Sequence, residues 1–190
     1  MPIACLSSLE PLPAAFRGGV IALGNFDGFH AGHQAVAARA VAMARAMGVP
    51  AIIATFDPHP VRHFKPDAPW FRLTTLEQRQ RLFEAAGADA MLVFHFDAGL
   101  AAMSAADFIA QMLVERFGAG GIVTGQDFVF GRQRGGDVAT LRAAADAGHF
   151  AFDAVAPVDD AGEVISSSRI RAALQSGDCD TATRLLTRPF

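Results

Sequence analysis

This sequence of 190 residues has few cysteines, no long uninterrupted apolar run and no excess of positive charge. Its two cysteines, Cys5 and Cys179, lie far apart and without metal-ligand spacing. This usage argues against a disulfide framework or a zinc site and favours a reducing, cytoplasmic compartment. Residues 1–16 include Glu10 and no basic side chain, which differs from a secretory signal peptide. The most apolar stretch, 35–56, is interrupted by arginine, glycine and proline, so we expect no association with a membrane.

The charge balance excludes some partners and leaves others open. Charged residues make up 18% of the chain, and the formal net charge is −3. A general nucleic-acid binder carries a basic patch or stripe, so we expect no nucleic-acid partner. Phosphorylated small molecules stay compatible with this balance because they need only a few well-placed cations. Apolar residues make up 52%, which is enough for one compact domain with a hydrophobic core, and the oligomeric state is left open.

Short apolar runs alternate with helical patterns along the chain. The runs that predict buried strands are 20–23, 51–55, 91–94, 121–124 and 152–155. Helical spacing of apolar residues follows, as in 33–47, where a glycine and a proline stop the helix. The alternation predicts an α/β fold: a Rossmann-like, doubly wound parallel sheet of about five strands, in a single domain over 1–190. Such sheets bind ligands at the carboxyl ends of their strands.

A glycine-rich segment, GNFDGFHAGH, joins the first predicted strand to the first helix and extends from Gly24 to His33. Glycines let a backbone approach a ligand closely, and a helix start supplies free N–H groups with the positive end of a dipole. His30 and His33 stand three residues apart at that start, so both imidazoles can point toward the strand ends. Their N–H groups would donate to a phosphate whose charge grows in the transition state. A metal site is a weaker interpretation, because no third ligand accompanies the pair.

Three further segments are candidates for lining a ligand site. ISSSRIR, 165–171, opens a late helix and offers hydroxyls and guanidinium groups to phosphate oxygens, although Arg169 and Arg171 should face different directions. The loop 125–137 combines four glycines, two aromatics and two arginines, a composition that suits a mobile lid over a flat, charged ligand. TFDPHP, 55–60, has two prolines that fix a rigid pocket wall. Each segment alone is also compatible with an ordinary capped helix, surface loop or structural turn.

Together these segments resemble those of one family. GNFDGFHAGHQ, TFDPHP, GQDFVFG with GGD, and ISSSRIR occur in the family's order. In them the chain is similar to the FMN adenylyltransferase module of bacterial bifunctional riboflavin kinase/FMN adenylyltransferases, within the nucleotidyltransferase superfamily marked by HxGH. The resemblance implies transfer of AMP from ATP to the phosphate of FMN, giving FAD and pyrophosphate. The kinase domain of these enzymes would follow Phe190, so the chain is expected to be a truncated or a single-activity form.

The resemblance also implies roles for individual residues. The implied catalytic residues are His30, His33, Asp127 and Arg171. The implied ATP-binding residues are Gly24, Asn25, Phe26, Asp27, Gly28, His30, His33, Ser167, Ser168 and Arg171. The implied flavin-binding residues are Phe56, His59, Pro60, Phe64, Asp127 and Phe130. Ser168 stands where the family usually has threonine, a change that keeps the hydroxyl group.

The implied reaction needs little covalent chemistry from the protein. A phosphate monoester has its second pKa near ~6, so FMN is mostly dianionic at neutral pH and needs no general base. Mg²⁺ would accompany ATP through substrate oxygens and water, with Asp27 as a nearby partner and no dedicated metal site in the protein. Two alternatives stay open. One is a related nucleotidyltransferase acting on a different phosphorylated acceptor, and the other is a non-catalytic paralogue that binds flavin or nucleotide.

Overall fold

A parallel sheet forms the centre of the structure, a computed structural model that describes residues 2–67, 69 and 71–190. Its strands are β1 Ala4–Ser7, β2 Val20–Leu23, β3 Ala51–Asp57, β4 Ala90–His95, β5 Gly121–Gly125 and β6 Ala151–Val155. They lie in the order β1-β4-β3-β2-β5-β6, and each neighbouring pair is parallel. A short antiparallel hairpin follows, formed by β7 Asp159–Asp160 and β8 Glu163–Val164.

Helices connect the strands and complete the chain. They are α1 Ala31–Met47, α2 Pro60–Phe64, α3 Leu76–Ala85, α4 Ala98–Ala102, α5 Ala105–Asp107, α6 Val138–Asp146, α7 Ser167–Gln175 and α8 Cys179–Leu186. Helix α5 continues into a π-helical segment, Phe108–Arg116. Within the described residues, no helix combines the length and the apolar character needed to cross a bilayer.

Side chains alternate between the two faces of the sheet, and both faces are apolar. On β2, Val20 and Ala22 point toward α1 and α3, whereas Ile21 and Leu23 point toward the π-helical segment and α6. A strand that is apolar on both faces needs cover on both, which is the reason for a doubly wound arrangement. The predicted fold class is therefore confirmed.

A third apolar cluster packs the last two helices beside the loop that follows β2. Ile170 of α7 and Leu185 and Leu186 of α8 pack with Leu73, which precedes α3. Their burial brings the end of the chain next to the start of α1, although more than a hundred residues separate the two in sequence.

The predicted helix limits and the predicted strand number had different outcomes. Helix α1 ends at Gly48, which adopts a left-handed φ of 67°, and Thr75 with Gln78 forms a capping box at the start of α3. The sheet has six strands rather than about five, because the sequence analysis missed β1. This strand lies at the edge of the sheet beside β4 and is partly exposed along its length, so it lacks the continuous apolar run of a central strand.

Candidate active site

The path of the chain through the sheet reverses between β2 and β5. From β2 the chain continues through β3 to β4 on one side, then crosses back to β5 on the other side of β2. Loops that leave the carboxyl ends of two such strands diverge and open a crevice. Here they are the β2–α1 loop, 24–30, and the β5–α6 loop, 126–137. The predicted phosphate-binding histidines lie at the end of the first of these loops.

His30 and His33 stack on each other at the start of α1. Their ring centroids are 3.7 Å apart, and the ring planes are inclined by 20°. His30 is the N-cap of α1, and its Nδ1 accepts a hydrogen bond from the backbone N–H of His33 at 3.4 Å. An accepting Nδ1 assigns the proton of the neutral ring to Nε2, which is then available as a donor. Among the described residues, the buried Nδ1 of His33 has no hydrogen-bond partner.

Both histidines are held in the neutral form. Burial and then the charge of Arg188 lower the pKa of His30 to about 4, against a smaller opposing effect of Asp27. Burial, His30 and Arg79 together hold the pKa of His33 well below its usual value. At neutral pH the pair therefore presents N–H groups without net charge, and a neutral imidazole is an effective electrophilic donor in enzymes.

The β2–α1 loop contains a turn with unusual backbone geometry. Phe26, Gly28 and Phe29 have positive φ values of 48°, 86° and 42°. The two phenylalanines offset this strain by burial, since both rings pack on Phe83 with centroids 5.7 Å and 5.1 Å away. Phe26 was predicted to contact ATP, but its side chain is 1% exposed and belongs to the core. At Gly28, a Cβ atom would come within 2.8 Å of the Leu73 side chain, so the turn requires glycine there.

The carboxylate of Asp27 points into the protein rather than toward a ligand. It accepts hydrogen bonds from the backbone N–H groups of Leu73 and Thr74 at 3.0–3.1 Å and pairs with the guanidinium groups of Arg79 and Arg171. Burial alone would raise its pKa, but Arg79, the two N–H groups and Arg171 outweigh burial and lower it. The oxygens of the Asp27 carboxylate therefore have protein partners, and the expected place of Asp27 beside ATP or Mg²⁺ stays a prediction.

Arg79 is fully buried and ties three elements together. Its guanidinium group donates to Asp27 at 2.8 Å, to the Thr55 hydroxyl of β3 at 2.8 Å, and to the Asn25 carbonyl at 3.4 Å. Asn25 is otherwise exposed, at the start of the loop. No sequence pattern predicted this role of Arg79, since one arginine in a polar stretch of helix carries no signal of its own. Its place between β3 and the β2–α1 loop makes that loop part of the interior.

The start of α7 approaches the same loop. Ser166 is the N-cap of the helix, and the hydroxyl of Ser167 donates to the backbone carbonyl of Asp27 at 2.7 Å. Ser168 is exposed. Arg171 pairs with Asp27 and donates from Nε to the carbonyl of Phe71 at 2.8 Å. Burial lowers the pKa of Arg171, against the opposing charge of Asp27.

Arg169 lies on a different face of α7 and binds the β7–β8 hairpin. Its guanidinium group pairs with Asp160 at 2.9 Å and with Glu163 at 3.1 Å. The predicted separation of Arg169 from Arg171 is therefore confirmed: one holds the hairpin, and the other reaches the β2–α1 loop.

The β5–α6 loop is anchored where Phe130 pairs with Gly136, and its exposed residues include 126–127, before that pair, and 132–135, between the two paired residues. Phe130 and Gly136 exchange backbone hydrogen bonds at 2.9 Å and 3.0 Å, and the N–H of Arg132 bonds to the carbonyl of Met103 at 2.7 Å. The Phe130 ring, predicted to line the flavin, is 8% exposed and packs on Phe108 and other rings, so it anchors the loop to the core. Asp127, at the beginning of the loop, is exposed beside the end of β5.

The end of β3 and the helix that follows it, α2, hold the remaining residues that were predicted to bind flavin. Phe56, near the end of β3, is buried and stacks on Phe94 of β4, with ring centroids 5.1 Å apart, and its expected contact with flavin stays a prediction. His59 is the N-cap of α2 and Pro60 its first residue, as a proline-started helix favours. Burial lowers the pKa of His59 to about 4, with smaller contributions from neighbouring charges. Phe64 is 62% exposed, so of the predicted flavin contacts its ring is the most accessible.

The described residues contain no group of three or more His, Cys, Asp or Glu side chains arranged to hold a metal ion. The site instead concentrates guanidinium groups: Arg79 and Arg171 on Asp27, and Arg188 on the carbonyls of Gly28 and Phe29. Such a concentration of positive charge at a crevice attracts anionic ligands.

A parallel sheet with this crossover and an HxGH pair at the start of its first long helix defines a nucleotidyltransferase-like α/β protein. Its fold resembles that of a pantothenate synthetase from Thermus thermophilus, with a TM-score of 0.51 over 97% of this chain and 81% of that one, at 16% identity. The chain belongs to the FAD synthetase family, whose sequence profile matches residues 12–169.

Relatives with curated names resemble most of the chain. A bifunctional riboflavin kinase/FMN adenylyltransferase of Pseudomonas fluorescens is 38% identical over 96% of this chain, and the chain spans 58% of its length. A putative bifunctional enzyme of the same name from Geobacillus thermodenitrificans is 39% identical, over 91% of this chain and 92% of the relative. A crystal structure titled as a macrolide-efflux protein from Streptococcus pneumoniae superposes with a TM-score of 0.87 at 28% identity, covering 98% of this chain and 71% of that one.

Proposed function

We propose that the protein is an FMN adenylyltransferase, which transfers AMP from ATP to the phosphate of FMN and forms FAD and pyrophosphate. The observation that carries this proposal is the stacked, neutral His30–His33 pair at the start of α1, beside the crevice between β2 and β5. Membership of the FAD synthetase family and the names of the relatives support FMN as the acceptor.

The proposed step is a displacement at the α-phosphorus of ATP. A phosphate oxygen of FMN forms a bond to that phosphorus, the bond from it to the bridging oxygen of the β-phosphate breaks, and pyrophosphate leaves with the electron pair. The nucleophile is already ionised near neutral pH, so the protein contributes position and electrostatics. The Nε2–H group of His30 and the neutral imidazole of His33 are suited to donate to oxygens around the reacting phosphorus as charge accumulates there.

The guanidinium groups reduce the electrostatic repulsion between the two anionic substrates. Arg79 and Arg171 carry two positive charges and share the single negative charge of Asp27, so this group has a net positive charge. Arg188 adds a further positive charge at the same loop. We propose that Arg171 and the hydroxyl of Ser168 bind the leaving pyrophosphate, with Ser167 fixing the loop from below through the Asp27 carbonyl.

The metal requirement follows from the donor set. The Asp27 oxygens accept from arginine and N–H donors, and the described residues hold no group of three or more metal-ligating side chains, so this part of the chain offers no cage for a divalent cation. We propose that Mg²⁺ enters as part of the ATP substrate, bound to phosphate oxygens and water, and partly neutralises their charge.

We assign the flavin to the wall formed after β3 and β5. The exposed ring of Phe64, which meets the rings of His63 and Phe96 edge-on, offers an aromatic surface of the kind on which a flat ring packs. Asp127 lies exposed at the end of β5, where it can contact the acceptor side.

We further propose that residues 1–190 act as one adenylyltransferase unit in the cytoplasm. We also propose that these residues form no FMN from riboflavin, and FMN formation by the purified protein would contradict this.

The test is FAD formation by the purified chain incubated with FMN, ATP and MgCl₂, followed by chromatography and a pyrophosphate assay. We expect equimolar FAD and pyrophosphate. His149→Gln removes an exposed histidine away from the loop and serves as the control for preparation and folding. Bound FMN or ATP without pyrophosphate would identify a non-catalytic binder. Pyrophosphate released only with another phosphorylated acceptor would identify a different nucleotidyltransferase.

A further inference from the structure

The residues after α8 contact the turn that leads into His30. The guanidinium group of Arg188 donates to the carbonyl of Gly28 at 2.6 Å and to the carbonyl of Phe29 at 3.4 Å. The amide of Gln34 donates to the same Phe29 carbonyl at 3.0 Å and to the hydroxyl of Thr187 at 2.8 Å. We define Thr187 and Arg188 as the C-terminal clamp.

We propose that Arg188 is a positioning residue for adenylyl transfer, which fixes the Gly28–Phe29 turn and thereby the orientation of the His30 ring. The kinetic part of this inference rests on the proposed function. Its geometric part rests on the contacts of Arg188, which lies beyond the residues matched by the family profile, 12–169.

The turn needs external support because its conformation is unfavourable by itself. Phe29 has a φ of 42°, in the left-handed region that costs a bulky residue about 1 kcal/mol or more, and it directly precedes His30. The backbone N–H of Phe29 bonds locally to Phe26 at 3.2 Å, and that of Gly28 bonds to Thr74 at 3.0 Å. The carbonyls of Gly28 and Phe29 point the other way, toward the clamp, so a guanidinium fork spans two successive peptide groups.

Arg188 is itself held in place by contacts with the end of α8. Its guanidinium group also donates to the carbonyl of Leu186 at 3.1 Å, and its backbone N–H bonds to Thr183 at 3.2 Å. Leu186 is 1% exposed, so the end of α8 is fixed by the apolar cluster it shares with Leu73. The clamp therefore connects a rigid part of the core to the turn, rather than adding a mobile surface cation.

The clamp also acts on His30 through its charge. Charged and titratable groups from three places face this ring: His33 on its own helix, Asp27 in the β2–α1 loop, and Arg188 after α8. Asp27 favours the protonated ring and Arg188 disfavours it. Removing the guanidinium charge should consequently raise the pKa of His30. Loss of burial would raise it as well, so a variant that keeps the positive charge is needed to separate the two causes.

Two substitutions separate the geometry of the clamp from its charge. Arg188→Gln removes both, and we expect kcat for FAD formation to fall about 10-fold or more, with the KM for FMN changed less than about 2-fold. Arg188→Lys keeps the charge but loses the fork, so we expect a similar fall in kcat while the pKa of His30 stays low. Arg184→Gln is the matched control, because Arg184 lies on α8 and pairs with Asp160.

The pKa of His30 is measured by NMR titration of the full chain, with its resonance assigned from the signal that His30→Gln loses. We expect an upward shift in Arg188→Gln and none in Arg188→Lys or Arg184→Gln. Wild-type kcat in both Arg188 variants, or a lowered melting temperature with neither a kcat nor a pKa change, would overturn the proposal. If the wild-type chain forms no FAD, the proposed function fails, whereas the titration still decides whether Arg188 acts on His30.

Discussion

The two loops that border the crevice are built in opposite ways. In the β2–α1 loop, three successive carbonyls, those of Asp27, Gly28 and Phe29, accept hydrogen bonds from side chains of α7, α1 and the C-terminal clamp. The β5–α6 loop is anchored in its middle, where Phe130 pairs with Gly136, and it exposes the side chains of Asp127 and of 132–135. Both follow strands of the same parallel sheet, so the difference comes from their surroundings and not from the strands.

The difference suits the two substrates of the proposed reaction. Phosphoryl chemistry depends on donors held in place before the charge develops, and the β2–α1 loop is held from several elements at once. An acceptor has to enter and leave the site. The exposed residues of the β5–α6 loop can adjust around it, while the pair of Phe130 and Gly136 stays anchored. We therefore expect substitutions in the first loop to affect the chemical step and stability strongly, and those in the second loop to affect acceptor binding weakly.

Removing the histidine pair should have the largest effect. His30→Ala combined with His33→Ala removes both imidazole donors, and the loss of one such donor costs on the order of 10²–10³ in rate. We expect FAD formation to fall by at least about 10³, with the far-ultraviolet circular dichroism of the chain unchanged. His149→Ala is the matched control. Near-wild-type turnover by the double variant would exclude the proposed role of the pair.

Asp27→Asn should mainly reduce stability. The substitution leaves the buried guanidinium of Arg79 and that of Arg171 without the carboxylate they share, and breaking a buried ion pair on one side costs about 3–5 kcal/mol. Urea denaturation measures the free energy of unfolding. Asp153→Asn, which removes a partly exposed partner of Arg39, should cost no more than about 1 kcal/mol. Equal losses in the two variants would refute the central place of Asp27.

The buried histidines predict how stability depends on pH. His30 and His59 have folded-state pKa values of about 4, below the usual 6.5, so the unfolded chain binds more protons between these values. Their contribution is complete above about pH 6.5 and is lost as the pH falls toward 4, by about 3 kcal/mol for each histidine. Urea denaturation from about pH 7 to about pH 4.5 measures the slope. His30→Gln with His59→Gln should reduce the slope and leave the contribution of His33, and His149→Gln should leave the slope unchanged.

A conservative change in α7 tests the phosphate side of the crevice. Arg171→Lys replaces a fork that reaches both Asp27 and the Phe71 carbonyl by a point charge, so we expect kcat/KM for ATP to fall about 10-fold. Arg169→Lys, on the hairpin side, should change it less than about 2-fold. Steady-state kinetics with varied ATP compare the two. A larger effect of Arg169→Lys would contradict the assignment of Arg171 to the nucleotide.

The smallest effect is expected in the β5–α6 loop. Asp127→Ala removes an exposed carboxylate that contributes nothing to the anchor at Phe130, so the free energy of unfolding should change by less than about 0.5 kcal/mol. We expect the KM for FMN to change by a few-fold and the KM for ATP to stay constant. A loss of kcat as large as that of the histidine variants would move Asp127 from acceptor binding to the chemical step.

Local patterns in the sequence were sufficient for the order of elements and for the place of the site. Apolar runs predicted β2 to β5, because central parallel strands are buried on both faces, and they also predicted the more exposed edge strand β6. The capping box at Thr75 and Gln78 needs only residues three apart. The GNFDGFHAGH segment likewise joins β2 to α1 at the carboxyl end of the sheet, as predicted from its position between a strand and a helix. These features depend on neighbours along the chain, which the sequence displays directly.

The roles of side chains within the site were decided by the tertiary structure. Whether Phe56, Phe130 and Asp27 face a ligand or the core depends on what packs behind them, and all three are buried. Arg79 meets Asp27 across 52 positions, and Arg188 meets Gly28 across 160. No periodicity encodes such contacts, because an arginine in a polar stretch has the same local pattern whether it is solvated or paired. The sequence by itself determined the sheet, the helix starts and the histidine pair, whereas only the folded chain determined which charges hold that pair in place.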